Sequence, residues 1–449
     1  VAPHQPGPAP AAPGERFTVL DPATGEVFDE APDQRAEELD AVVDRAYEAW
    51  RSWRSDPTAR AAALLASADA VEAAGAQLAP LLTREQGKPL TESYAEVART
   101  AARLRWFAAS ARRRSLGPVA AIVPWNFPLQ LASAKFAPAL AAGNTVVLKP
   151  SPFTPLATRL LGSVMSAALP EGVLTIITGR EPLGALLASH PGIRHVTFTG
   201  SVPTGRAVAA GAASGLARVT LEPGGNDAAI LLDDVDVERI ADRLFRAAFR
   251  NCGQVCMAVK RVYAPARLHA RVVEALAERA KAVVVGADLD EGTELGPLNH
   301  AAQPARVERY TARALADGAR AVAGGHRLDR PGWFHAPTVL TDVPPDSPVV
   351  AEEQFGPVLP VLPYGSVDAA NATRFGLGGS VWGTDLDRAE AVAGRLECGT
   401  AWINHHAELS LAQPFAGVKE SGVGVAGGPW GLYGNLSPFG VHRPQEARP

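Results

Sequence analysis

The sequence predicts an α/β fold built on two doubly wound, largely parallel sheets. From Pro118 onward, short apolar runs bounded by Pro or Gly alternate with amphipathic stretches, the signature of repeated β-α units. The alternation resumes beyond Ala228 with longer helices, which implies a second α/β domain. The residues with chemical character, among them Lys149 and Glu222, fall at strand ends, where an open parallel sheet receives its ligands.

The elements follow in order. Apolar residues recur at three and four over Leu39–Trp53, Arg60–Ala74 and Tyr94–Arg112, as in amphipathic helices. Pro118–Pro124 reads as a buried strand, Leu131–Ala142 as a helix and Asn144–Leu148 as a strand. Helices over Leu156–Ala168, Leu183–Ser189 and Thr204–Ala213 alternate with strands over Val173–Ile177, His195–Phe198 and Arg218–Leu221. Further helices are expected at Asp236–Asn251, Leu268–Val284, Gln303–Asp317 and Leu386–Leu396, with loop and strand from Pro344 to Gly365. Val1–Gly14, rich in Pro and Ala, is expected to be a disordered tail rather than a signal peptide.

The 449 residues are 47% hydrophobic and 20% charged, enough chain for two or three domains. A net charge of −4 with no basic stripe argues against nucleic acid or an anionic membrane as a partner, and no apolar run is long enough to span a bilayer. Three cysteines make no disulfide framework and fit a reducing cytoplasm. No metal is expected.

Three motifs carry chemistry. Cys256 ends Phe249-Arg-Asn-Cys-Gly-Gln-Val-Cys256; it is either a small buried hydrophobe or a thiol nucleophile. Glu222 precedes Pro223-Gly224-Gly225, placed either as a solvated loop carboxylate or as a base in a cleft. Asn126 lies in the rigid loop Pro124-Trp-Asn-Phe-Pro128 and can hold a turn or donate to an oxyanion. The run from Phe198 through Gly200 and Ser201 to Gly205 leads a strand into a helix start, which can be an ordinary cap or a phosphate contact. Lys149 can reach a nucleotide at the sheet edge, and Glu353 and Phe355 can be a ribose ligand and an aromatic wall or plain surface and core. Cys252 and Cys398 read as structural.

Taken as an ordered set, with Glu85-Gln-Gly-Lys-Pro-Leu90, Phe136–Thr145 and Pro414–Gly422, these motifs resemble the NAD(P)-dependent aldehyde dehydrogenase superfamily over nearly the whole chain. The resemblance implies two Rossmann-like domains, cofactor-binding over 15–223 and catalytic over 224–421, with 422–449 returning to the first. It implies oxidation of an aldehyde to an acid: Cys256 as nucleophile, Asn126 as oxyanion donor, Glu222 as the base that hydrolyses the thioester. Lys149 and Glu353 would meet the cofactor riboses, Gly200 and Ser201 the pyrophosphate, and Trp125 and Phe355 the cleft walls. Ile122, Pro124, Ser151 and Gly224 complete that cofactor set. Phe127, Gln130, Arg250, Met257, Leu409 and Phe415 map to the substrate tunnel. Ala134 suggests an uncrowded tunnel, and Arg250 hints at an acidic substrate group unless it faces away.

The chain departs from the family pattern in several places. Ser115-Leu-Gly117 runs directly into Pro118 where a hairpin normally intervenes, and the region after Gly434 is broken by Pro and Gly. A truncated or missing oligomerisation arm is therefore expected, with a monomer or dimer in place of the family tetramer. Pro152 replaces the usual ribose-binding Glu, so NADP should be tolerated or preferred alongside NAD. Arg180 replaces a glycine and can meet a phosphate, Pro223 replaces a Leu beside the nicotinamide, and the helix after Ser366 is short. A cofactor-independent thioesterase or acyl-transfer enzyme and a catalytically silent scaffold are the rival readings.

Overall fold

A computed structural model describes residues 15–109, 114–287, 289–440 and 442; the tail expected at Val1–Gly14 lies outside them. The chain opens with an antiparallel hairpin, β1 (Arg16–Leu20) and β2 (Val27–Pro32), then four helices: α1 (Leu39–Trp53), α2 (Pro57–Ala73), α3 (Gly75–Gln86) and α4 (Leu90–Ala108). Asp56 starts α2 by accepting from the N–H groups of Thr58 (2.9 Å) and Ala59 (3.0 Å), an N-cap four residues before the apolar periodicity expected from Arg60. The hairpin and α3 were not expected. Gly75 at the start of α3 and Pro80 within it hide the helical pattern, and burial against its neighbours overrides their poor propensity.

The first sheet is wound by β3 (Pro118–Ile122), α5 (Pro128–Ala141), β4 (Thr145–Lys149), α6 (Leu156–Met165), β5 (Leu174–Ile176), α7 (Leu183–Ser189), β6 (His195–Gly200), α8 (Val202–Ser214) and β7 (Arg218–Pro223). Its order is β5-β4-β3-β6-β7, and every pair is parallel. Register aligns the carboxyl ends: Ile122 pairs with Lys149 and Phe198, and Thr199 with Glu222. Helix α5 starts at Pro128, earlier than expected, because proline suits the first helical turn. It is apolar on nearly all sides and buried on nearly all sides, with Leu129, Phe136 and Leu140 fully enclosed, each worth about 1.5–3 kcal/mol of apolar burial.

The second sheet comes from β8 (Asp227–Leu231), α9 (Val237–Phe249), β9 (Val259–Ala264), α10 (Ala266–Ala282), α11 (Ala302–Ala316), β10 (Arg320–Ala323), β11 (Thr338–Thr341), α12 (Pro348–Ala351), β12 (Val358–Pro363), α13 (Val367–Asn371), β13 (Gly378–Trp382), α14 (Leu386–Ala393) and β14 (Thr400–Ile403). Its order is β10-β11-β12-β9-β8-β13-β14, parallel except for β10 at one edge. The chain then returns to the first sheet: Val423 bridges Leu221, α15 (Gly428–Gly434) packs on α5, and Leu436 bridges Ser115. That single bridge is the pairing between the segment after α4 and the C-terminal region among the described residues.

The two sheets meet in opposite senses. The first presents its carboxyl ends, carrying Lys149, Ile122 and Glu222. The second presents the segments that enter its strands: Gly224 and Gly225 before β8, Cys256 before β9, Glu353 and Phe355 before β12.

Candidate active site

The nucleophile loop turns out of α9 through three consecutive left-handed residues, Asn251 (φ 49°), Cys252 (φ 55°) and Gly253 (φ 71°). Such backbone is costly for side chains other than glycine, and it ends the helix expected to run on to Asn251. Gly253 has a second constraint, since a Cβ there would strike the carbonyl of Gly356. The turn is held by Gln254 N–H donating to Asn251 O (3.0 Å) and by the Lys260 ammonium, which donates to Gly253 O (3.1 Å) and Val255 O (2.6 Å). Cys256 emerges partly exposed, while Cys252 is buried as expected for packing; both are free thiols. Burial, and then the nearby charge of Glu353, pushes the Cys256 thiol up to about 12. The resting thiol is therefore protonated at neutral pH and needs a base or a changed environment to react.

Asn126 is buried beside this loop. Its side-chain N–H donates to Gln254 O at 2.9 Å, one hydrogen of the amide remains for another acceptor, and its Oδ1 has no partner among the described residues. Its backbone carbonyl accepts from Lys88 Nζ (2.7 Å) and Asn251 Nδ2 (3.0 Å). Lys88 is itself paired with Glu96 at 2.7 Å, and the other oxygen of Glu96 accepts from Leu129 N–H (2.7 Å) and Gln130 N–H (2.9 Å) at the start of α5. One enclosed ion pair thus joins the Asn126 loop to the first turn of α5, and Asn251 ties the nucleophile loop to the same Asn126 carbonyl. Neither partner was anticipated, although Lys88 belongs to one of the stretches that carried the resemblance.

Glu222 closes β7 and is 6% exposed. Its carboxylate pairs with Lys135 and accepts from Thr199 Oγ1 at 2.9 Å. Lys135 was also missed; its signal was a lone cation in the otherwise apolar α5. Glu222 and Cys256 line the same cavity of about 150 Å³, together with Gln130, Met257, Leu409 and Phe415. A second cavity of about 330 Å³ opens on Cys256 from the other side and is lined by Asn126, Phe127, Gln130, Met257 and Arg250. The six expected tunnel residues are therefore divided between two spaces that share Cys256. Ala134 lines the smaller one. Arg250 lines the larger but is committed, its Nε bonded to Glu92 at 3.1 Å.

The remaining expected residues lie at the carboxyl ends of the first sheet and in the segments that enter the second. Trp125 and Phe355 stand edge to face with centroids 5.4 Å apart, and Phe355 has a strained φ of 54°. Glu353 accepts from Gly225 N–H at 3.0 Å, and a Cβ at Gly224 would collide with its carboxylate. Burial raises the pKa of Glu353, opposed by Lys260. Ile122 ends β3, and Pro124 follows two residues later. The Ser151 hydroxyl accepts from Phe153 N–H at 3.2 Å. Gly200 ends β6, and the Ser201 hydroxyl caps α8 by accepting from Thr204 N–H at 3.3 Å. Lys149 is buried, its pKa lowered by desolvation and raised in turn by Glu181, and its ammonium makes no hydrogen bond among the described residues. Arg180 does not wait for a phosphate: its Nε is paired with Asp33 at 2.7 Å and its N–H donates to the same carboxylate at 2.9 Å.

The model of the aldehyde dehydrogenase family matches residues 10–436. The chain belongs to the aldehyde dehydrogenase family. Geranial dehydrogenase of Castellaniella defragrans is 39% identical over 443 residues, covering 92% of each chain. Betaine aldehyde dehydrogenase of Staphylococcus aureus, solved with NAD+, superposes with a TM-score of 0.92 at 31% identity, covering 94% of this chain and 90% of that one. An NADP-dependent enzyme of Escherichia coli superposes at 0.91 with 34% identity, covering 94% and 93%. This aldehyde dehydrogenase is thus an NAD(P)-dependent oxidoreductase that converts aldehydes to acids. The cleft fits such a cofactor. A buried lysine ammonium without a hydrogen bond, a helix start at Ser201 and a carboxylate held over a glycine pair are the groups a dinucleotide's hydroxyls and phosphates require. No helix among the described residues is long and apolar enough to cross a membrane.

Proposed function

We propose that oxidation proceeds through a thioester on Cys256 and that Glu222 is the base that releases the acid. The observation that carries this reading is that Cys256 and Glu222 line one cavity while Asn126 borders the adjoining space. Cys256 adds to the aldehyde carbon to give a thiohemiacetal. The spare N–H of Asn126 and the backbone N–H of Cys256 hold the oxygen. The nicotinamide supplies the hydride acceptor when bound. With the hydride removed, the substrate remains on Cys256 as a thioester. Glu222, oriented by Lys135 and Thr199, takes a proton from the water that attacks it. In Glu222→Gln, one equivalent of reduced cofactor should form per Cys256 and turnover should then stall. Acid release at the wild-type rate would mean that another group is the base. Cys256→Ala should show neither phase.

The same reading divides the chain into a cofactor-binding part over 15–223, a catalytic part over 224–421 and a return from 422. Lys149 and Glu353 hold the riboses, Gly200 and Ser201 border the pyrophosphate, and Ile122, Pro124, Trp125, Ser151, Gly224 and Phe355 shape the cleft. Pro152 offers no carboxylate, but Glu181 does: it is the leading charge acting on Lys149, and both side chains flank Gly184. A carboxylate there accepts from ribose hydroxyls and repels a 2′-phosphate. NAD+ is then preferred and NADP+ tolerated, which separate calorimetric titrations would decide. The single Ser115–Leu436 bridge, in place of paired strands among the described residues, supports a reduced oligomerisation arm and a monomer or dimer; the three free cysteines support a cytoplasmic setting.

A further inference from the structure

The two cavities that meet at Cys256 share six lining residues: Arg99, Gln130, Leu131, Cys256, Met257 and Glu408. The larger has four arginines in its wall, Arg99, Arg243, Arg246 and Arg250, against one lining carboxylate, Glu408. Three of the four are committed elsewhere. Arg250 is bonded to Glu92 (3.1 Å), Arg246 to Asp242 (2.9 Å), and Arg243 donates to Asn404 O (3.0 Å). One turn along α4, Arg103 is likewise spent on Gln130 O (2.7 Å) and Ser133 Oγ (2.8 Å). Arg99 alone of this set makes no hydrogen bond or ion pair among the described residues.

Most exposed arginines are simply solvated. Arg99 differs because it lines both cavities that reach the nucleophile and has no partner among the described residues. Partial burial and then the Arg250 charge lower its pKa, with Glu96, Glu408 and Glu92 acting in the opposite sense. A guanidinium with no partner among the described residues, beside an apolar channel of Leu131, Phe127 and Met257, forms a receptor for an anion joined to an apolar stem.

Resting on the aldehyde dehydrogenase reading, we infer that the preferred substrates are aldehydes carrying an anionic group, a carboxylate or sulfonate, at the end remote from the carbonyl, and that Arg99 is the residue that receives it. Glu408, in the same wall, sets a limit on how tightly the anion is held.

The test compares para-formylbenzoate with its methyl ester, which differ in charge but little in shape. The acid should be preferred in kcat/KM by roughly tenfold to a hundredfold, mostly through KM, as a charged hydrogen bond implies. Arg99→Gln should collapse that ratio, Arg99→Lys should restore part of it, and Glu408→Gln should widen it. Equal use of acid and ester by the wild type, or a ratio untouched by Arg99→Gln, overturns the inference while leaving the dehydrogenase reading intact. If neither aldehyde yields reduced cofactor, the dehydrogenase reading suffers, and the anion site is judged by alkylation of Cys256. Iodoacetate should then outpace iodoacetamide relative to a free thiol, and the excess should vanish in Arg99→Gln. No excess overturns the inference.

Discussion

Replacing Lys88 by methionine should separate stability from positioning. Lys88 and Glu96 are 2.7 Å apart, and their side chains are 0% and 1% exposed. At that distance and an effective dielectric of about 20, their attraction is about 6 kcal/mol. Desolvation of the ammonium offsets much of this, which is why burial lowers the Lys88 pKa even though Glu96 raises it. Removing one partner leaves an enclosed carboxylate and should destabilise the fold by about 3–5 kcal/mol. For a chain of 449 residues, an unfolding entropy of about 2.1 cal/mol/K per residue converts this into a melting shift of roughly 4 °C.

The same substitution removes a donor from the Asn126 carbonyl, leaving that loop tied through Asn251. A displacement of the oxyanion donor by about 1 Å costs on the order of a hundredfold in turnover. The double variant Lys88→Met/Glu96→Gln decides between the two effects. It removes the stranded charge yet keeps an oxygen to accept from Leu129 and Gln130. Most of the melting temperature should return, while kcat stays low. Differential scanning fluorimetry and steady-state kinetics on both variants suffice. A Lys88→Met enzyme with wild-type melting and wild-type kcat would refute the argument, and recovery of kcat in the double variant would refute the positioning half of it.

Other outcomes follow from the same geometry. With its thiol raised from 9.0 to about 12, Cys256 in the cofactor-free enzyme should be alkylated faster at every step up in pH, about tenfold per unit, with no plateau below about pH 10. The sign for stability is the reverse: the contribution of the half-buried neutral thiol is complete below about pH 9 and fades as pH rises toward 12. A plateau near neutrality would mean that the thiol is not governed by burial. Glu181→Gln should tighten NADP+ and weaken NAD+ in calorimetric titration, because it removes a charge beside Lys149 and leaves a neutral acceptor. Unchanged selectivity would locate discrimination elsewhere.

What could be read from the sequence is what the backbone and short motifs enforce. Pro124–Pro128 is rigid by composition, Glu222 is directed out of its strand by Pro223, and Cys256 follows a glycine that no other residue could replace without striking Gly356. These constraints act within a few residues, so they are visible in one chain. The partners that make the same residues useful are tertiary. Lys135 meets Glu222 across 87 positions, and Lys88 reaches Asn126 across 38. Lys135 has no local signal beyond a charge in an otherwise apolar helix, and Lys88, in the polar stretch Glu85–Leu90, has none that names its partner. The arginines show the limit most clearly. From the sequence Arg250 hints at an acidic substrate, because the family resemblance maps it to the substrate tunnel, unless it faces away. In the fold its charge is already answered by Glu92, and the cation left to recognise an anion is Arg99, more than 150 residues earlier on the face of α4 that lines both cavities. Specificity in this enzyme is thus decided less by which charged residues the chain contains than by which of them the fold leaves without a partner.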